Sequence, residues 1–214
     1  MKPTQESYTP SHPGLFAVAF KPGAFSSACI AQKDFKAGET IARLEGLTVS
    51  PRSYTTVQCG PGPEDHIELN SDLVYVNHSC EPNVAFDLSS PDRTQWHARA
   101  LKPIHSGEPL TFFYPSTEWH MDQPFDCTCG TPSCLGKVQG AAFLKLDELT
   151  ARGFVSPWIV DAVKQRDASP LANSGAAVHP ALQNPTAKAT TDCESCGLGY
   201  AGGANVCGCR PPAY

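Results

Sequence analysis

The sequence predicts a mainly β protein with a few helices at its periphery. Three observations carry this. Apolar residues fall in short runs rich in β-branched and aromatic side chains, and helical periodicity emerges only late in the chain. In addition, 20 Pro and 17 Gly among 214 residues interrupt the chain often. A parallel α/β sheet would need helices alternating with the strands, and none are seen.

Taken in order, residues 15–20, 40–44, 73–76, 83–88, 95–100 and 110–114 are read as strands, each bounded by Gly, Pro, Asn or Asp. Residues 35–39 and 104–108 are similar tight turns, with Gly38 and Gly107 where the chain reverses. Residues 65–68 read as a solvated strand edge. Helices are expected at 141–149 and 158–166, the second with Ser156 as N-cap and Pro157 at its first position.

Residues 1–14, with Pro3, Pro10 and Pro13, look like a flexible arm, and the patterning of a folded domain runs from about 15 to 166. From Ala168 the composition turns to Ala, Pro, Gly, Ser and Thr. Such a segment buries too little to offset its ordering entropy, so 168–214 is expected to be a disordered, cysteine-containing tail. A net charge of -5 argues against a broad phosphate-gripping surface, and hence against nucleic-acid binding, while remaining compatible with a basic peptide. No apolar run approaches the ~18 residues of a membrane span, and the start lacks a secretory core. An intracellular protein, nuclear or cytoplasmic, is expected, and its cysteines are read as metal ligands before disulfides.

The strongest local signal is Cys127-Thr-Cys129-Gly-Thr-Pro-Ser-Cys134. A structural zinc site is closed by four protein ligands, and this loop supplies three. Cys80, within Asn77-His78-Ser79-Cys80-Glu81-Pro82-Asn83, is the candidate for the fourth. That polar cluster sits between apolar segments, so its hydrogen bonds require specific partners. A third motif, Gly107-Glu108-Pro109-Leu110-Thr111-Phe112-Phe113-Tyr114, follows. In the tail, Cys193, Cys196, Cys207 and Cys209 have the count of a second metal site but little apolar support, and free thiols are an equal reading.

In these three motifs, in this order, the chain resembles the SET-domain family of protein-lysine methyltransferases, in a compact form with a cysteine-rich post-SET segment and no pre-SET domain. The resemblance implies a pseudoknotted set of small β-sheets. It divides the folded part into a SET domain (15–121), a post-SET zinc segment (122–140) and a helical extension (141–167). It further implies that Asn77 and His78 contact S-adenosylmethionine, with Ser26, Ala28 and Leu135 also at the cofactor. Tyr114 would be catalytic, and zinc on Cys80, Cys127, Cys129 and Cys134 structural. The substrate would be a protein or peptide presenting lysine, a histone being possible without being favoured.

The family's early Gly-x-Gly is replaced by Ser26-Ser27-Ala28, where a positive φ at Ala28 would be strained. Leu44 stands where a Tyr is common, and Phe113 where an Asp commonly precedes the late Tyr. These positions favour a rival reading, a SET-fold protein that binds cofactor or peptide without transferring methyl. A zinc-stabilised interaction module is the third reading.

Overall fold

A computed structural model describes residues 5–169. Strands β1 (Phe16–Ala19) and β2 (Ala28–Ala31) form an antiparallel hairpin. After β3 (Thr40–Arg43), a small antiparallel sheet is made by β4 (Thr48–Val49), β5 (Thr56–Gln58) and β6 (His66–Glu68), with β6 in the middle. Then come β7 (Asn77–His78), β8 (Val84–Asp87), β9 (His97–Ala100) and β10 (Thr111–Phe112). With β3 they build a five-stranded sheet of order β3-β9-β8-β10-β7. A last hairpin joins β11 (Phe125–Asp126) to β12 (Lys137–Val138), and two helices follow, α1 (Leu146–Thr150) and α2 (Pro157–Ala168). This is the expected architecture of small sheets with peripheral helices.

The position of β10 governs the site. It lies parallel to both β7 and β8, inserting between two strands that precede it closely in sequence. Backbone bonds between the first hairpin and residues 107–110 hold it there: Gly107 N to Ala31 O, Ala31 N to Glu108 O and Leu110 N to Cys29 O. The two similar turns behave as expected. Phe35 and Ile104 exchange both backbone bonds, and Gly38 and Gly107 take φ of +80° and +89°.

Four elements differ from the sequence reading. Residues 73–76 belong to a 3-10 turn, Asp72–Tyr75, capped by the Ser71 side chain; a short apolar run does not distinguish strand from buried turn. The 110–114 strand stops at Phe112 because Tyr114–Ser116 winds into a 3-10 turn containing Pro115. Residues 66–68 are the centre of their sheet, with His66 and Ile67 buried, rather than a solvated edge. The 141–149 helix is broken into a 3-10 turn, Ala141–Phe143, and α1. At the break the Arg166 guanidinium gathers the carbonyls of Ala142 (2.9 Å) and Leu144 (3.0 Å), which a continuous helix would have used internally.

The N-terminal residues expected to be a loose arm are pinned from Tyr8 onward. The Tyr8 hydroxyl donates to Asp72 Oδ2 (2.7 Å) and accepts from Val18 N, while Ser11 and Asp72 exchange two bonds. Asp72 is fully buried; both donors to its carboxyl fall on Oδ2, which offsets part of the burial cost, while Oδ1 is buried with no partner among the described residues.

Two apolar clusters result. The larger holds Phe16, Ile67, Leu73, Phe86, Ile104 and Leu110. The smaller packs Phe113 against Ala141, Leu149, Ile159 and Val163. Phe113 therefore forms the floor on which the helical extension sits, which explains an apolar residue where the SET pattern commonly has an acid. Leu44 is buried in the larger cluster, with its N–H bonded to Trp96 O.

Candidate active site and metal centre

The four cysteines converge. The sulfurs of Cys80, Cys127, Cys129 and Cys134 all lie within 4.8 Å of one another, and Cys80 and Cys127 are 3.9 Å apart. Four thiolates at ~2.3 Å around a tetrahedral zinc would be about 3.8 Å apart, so the cluster fits a zinc site. Cys80 is buried, and the loop thiols are half-buried. Burial pushes Cys127 up to about 12, whereas at Cys129 the Thr131 hydroxyl and backbone donors outweigh burial and bring the thiol down to about 6. The loop is held from outside as well. Arg152, just after α1, donates to Cys80 O (2.6 Å), to Ser133 O (2.9 Å) and to the Ser133 hydroxyl, and its guanidinium lies over the Phe113 ring at 5.4 Å.

From this cluster the contacts lead to β7. His78 Nε2 is 3.3 Å from Cys80 Sγ, and His78 Nδ1 accepts from Tyr114 N at 3.3 Å. Nδ1 is therefore the bare nitrogen and Nε2 carries the hydrogen. Burial, with the Arg152 charge adding, lowers the imidazole to about 4 and keeps it neutral. Asn77 Nδ2 donates to Ser27 O (2.9 Å), tethering the 21–27 loop to the edge of the sheet. The Ser26 hydroxyl is occupied within that loop, 2.7–3.0 Å from the carbonyls of Lys21, Pro22 and Gly23. Ala28 opens β2 opposite Ala19, and the strain expected there is absent; the left-handed conformations fall on Gly23 and Phe25 (φ 59°). Leu135 donates its N–H to Cys80 Sγ (3.3 Å) and packs against the smaller apolar cluster.

Tyr114 joins the two halves of the site. Its ring meets His78, Phe112 and Phe125 at 4.6–6.1 Å, and its hydroxyl makes a long contact of 3.5 Å to Val76 O. Burial pushes the phenol up to about 12, with the Glu118 charge adding a smaller push, so it stays protonated. Tyr114 also lines a narrow slot of about 50 Å³ with Tyr54, Val57, Leu73, Val76 and Glu118. Tyr54 stands at the exposed lip, edge-to-face with Phe25 of the 21–27 loop at 5.8 Å.

Sequence reasoning missed three participants. Arg152 sits beyond the motifs and has no spacing signal. Phe125 is an isolated aromatic before the cysteine loop. Glu118 offered a faint signal, an acid inside the otherwise apolar and hydroxylic stretch after Tyr114. Cys193, Cys196, Cys207 and Cys209 lie outside the described residues.

A sheet with β10 inserted parallel between β7 and β8, closed by a four-thiol cluster against its Asn-His edge, defines a SET domain followed by a post-SET segment. The comparisons agree. The SET domain family profile matches residues 27–115. The chain is 38% identical over 164 residues to Methyltransferase flvH of Aspergillus flavus, covering 75% of this chain and 89% of that protein. It is 34% identical over 77 residues to the Drosophila melanogaster histone-lysine N-methyltransferase ash1 and 35% identical over 82 residues to the H3 lysine-36 specific histone-lysine N-methyltransferase of Candida albicans. Each of these alignments covers 36% of this chain but only 4% and 10% of those longer proteins. The chain belongs to the SET-domain family of methyltransferases.

Proposed function

We propose that this protein transfers a methyl group from S-adenosylmethionine to a lysine side-chain amine of a protein or peptide. The observation that carries the reading is Tyr114, whose protonated hydroxyl stands in a narrow slot against the Val76 carbonyl while its backbone is bonded to His78. The similarity to histone-lysine N-methyltransferases supports lysine as the acceptor.

The residues fit the cofactor's chemistry. Asn77 Oδ1 accepts no bond among the described residues, and β7 is an edge strand whose outer backbone groups are open to a ligand. Both His78 ring nitrogens are committed, so His78 would meet the cofactor through its backbone. Ser26 would act likewise, its hydroxyl being used in its own turn, and Ala28 and Leu135 would supply apolar wall. When bound, S-adenosylmethionine supplies an electrophilic methyl group on a sulfonium. The protein's own part is alignment: the Tyr114 hydroxyl and Val76 carbonyl orient the amine in the slot. Zinc on Cys80, Cys127, Cys129 and Cys134 would be structural, fixing the loop that carries Leu135.

The test is transfer of radiolabelled methyl from S-adenosylmethionine to proteins of a cell extract, by wild type and by Tyr114→Phe. Wild type should label a discrete set of proteins on lysine. The variant should retain cofactor binding and lose about 100-fold in rate, the scale for removing one preorganised polar group. Wild-type labelling no higher than background would overturn the reading in favour of a cofactor- or peptide-binding protein, and absence of cofactor binding would overturn both.

A further inference from the structure

The slot ends in a charge that no element of the methyl-transfer reading uses. Glu118 is 7% exposed and lines the slot together with Tyr114, apolar Val57, Leu73 and Val76, the hydroxyl-bearing Thr55 and Thr56, and a second acid, Asp122. The bonds it accepts among the described residues, from Gln58 N (2.8 Å) and the Thr117 hydroxyl (3.5 Å), both fall on Oε1. Its second oxygen has no bonded partner there. No salt bridge is formed by Glu118 among the described residues. Oε2 is not fully buried, so water can reach it, and an ammonium guest would replace that water with a charge-assisted hydrogen bond.

We propose that Glu118 is the recognition group for the substrate's charge: its Oε2 accepts a hydrogen bond from the substrate ammonium inside the slot, selecting a cationic amine over a neutral chain of the same length. This deepens the reading above and rests on the slot being the substrate channel. Glu118 is held for that task. The Gln58 side-chain Oε1 accepts from the Trp119 backbone N–H (3.0 Å) while the Gln58 backbone N–H donates to Glu118 Oε1, so two bonds tie the 118–119 segment to β5. Strand β5 thereby contributes Thr56 and Val57 to the wall of the slot.

The groups whose charges bear on Glu118 are few. Arg52 favours its ionised form, Asp122 opposes it, and Tyr114 and Cys59 are neutral neighbours that feel its charge. Burial outweighs the Gln58 N–H bond and the Arg52 charge and raises the carboxyl to about 7. An ammonium guest would reverse part of that rise, since each stabilises the other's charged form. The amine must also give up a proton before its nitrogen can attack, and a carboxylate at this position can hold the cation until that loss to solvent.

Two measurements decide the matter. In the first, the Glu118 carboxyl is titrated by carbon NMR on wild type carrying ¹³C-labelled glutamate, with and without saturating n-butylammonium, assigned by comparison with Glu118→Gln. The cation should lower the Glu118 midpoint by about one unit or more, whereas n-butanol should leave it unchanged. An equal midpoint in all three conditions would overturn the proposal, whether or not the protein turns over. In the second, Glu118→Gln should raise KM for a lysine peptide by about 10- to 100-fold, the scale for losing a charge-assisted hydrogen bond. Its kcat, zinc content and cofactor affinity should change little. Wild-type KM should rise as pH falls through 7, and the variant should not show that rise. An unchanged KM and pH profile in a folded variant would overturn the proposal, while a wild type without turnover would sink the methyl-transfer reading and leave the titration to judge Glu118.

Discussion

Replacing Arg152 with Met should loosen the metal centre from a distance. The guanidinium bonds the carbonyls of Cys80 and Ser133 at 2.6 and 2.9 Å and the Ser133 hydroxyl, and covers Phe113. A hydrogen bond to a charged group contributes about 1.5–3 kcal/mol. Half-burial lets water replace part of this, and the buried Nε without a partner subtracts from it. A net loss of about 2–4 kcal/mol is expected, which for a domain of this size lowers the unfolding midpoint by roughly 5–12 °C. Because Cys80 and Ser133 flank the thiol cluster, part of the loss should fall on the metal. Zinc release to a chromogenic chelator should be about tenfold faster or more, since each 1.4 kcal/mol is a factor of ten. Arg152→Lys keeps the charge without the fork and should fall between. Release rates and midpoints equal to wild type would refute the idea that Arg152 braces the zinc loop.

Cys129→Ser should reduce bound zinc by one per chain, measured by metal analysis, and cost much of the folding cooperativity; an unchanged metal content would remove Cys129 from the ligand set. Tyr8→Phe deletes a hydroxyl that both donates to buried Asp72 and accepts from Val18 N. It should destabilise the domain by about 1–3 kcal/mol in urea unfolding, and no change would show the N-terminal residues to be dispensable. Glu118 predicts a pH slope: its carboxyl, raised from 4.5 to about 7, holds a proton in the folded state that the unfolded chain has already released. Its stabilising contribution is full below about 4.5 and is lost as pH rises through about 7. Glu118→Gln should therefore flatten the fall in stability between pH 5 and 8 and be more stable than wild type by up to about 3 kcal/mol at pH 8, and equal slopes in urea unfolding would contradict it.

Much of the fold was legible because its longer strands carry their own patterning. The segments that became β1, β3, β8 and β9 alternate or concentrate apolar residues between turn signals, and all were found with their ends shifted by a few residues. Strands of two or three residues, such as β4, β5 and β11, contain too little sequence to show a period. Residues 73–76 misled because Leu73 and Val76 are buried in a turn as thoroughly as they would be in a strand. The cysteine cluster was readable from spacing plus the motif around Cys80. Arg152 was not, since a clamp formed between residues 72 apart along the chain leaves no local pattern. The expected strain at Ala28 failed for a related reason. The loop before β2 takes its left-handed turns at Gly23 and Phe25, leaving Ala28 extended.

Phe113 shows how the departures from the family pattern compensate one another. The position adjoins Tyr114 and is fully packed beneath α1 and α2, with Arg152 on its ring. An acid there would lie buried against Leu149, Ile159 and Val163, with only the already committed Arg152 for a partner, so the helical extension and an acidic residue at 113 are incompatible. The extension in turn supplies Arg152, which braces Cys80, and Cys80 contacts His78, which bonds the backbone of Tyr114. Consecutive contacts thus run from α1 and Phe113 through the thiol cluster to the slot. Glu118, four residues beyond Tyr114 and bonded through its backbone to the Tyr114 carbonyl, lines the slot with a carboxyl group.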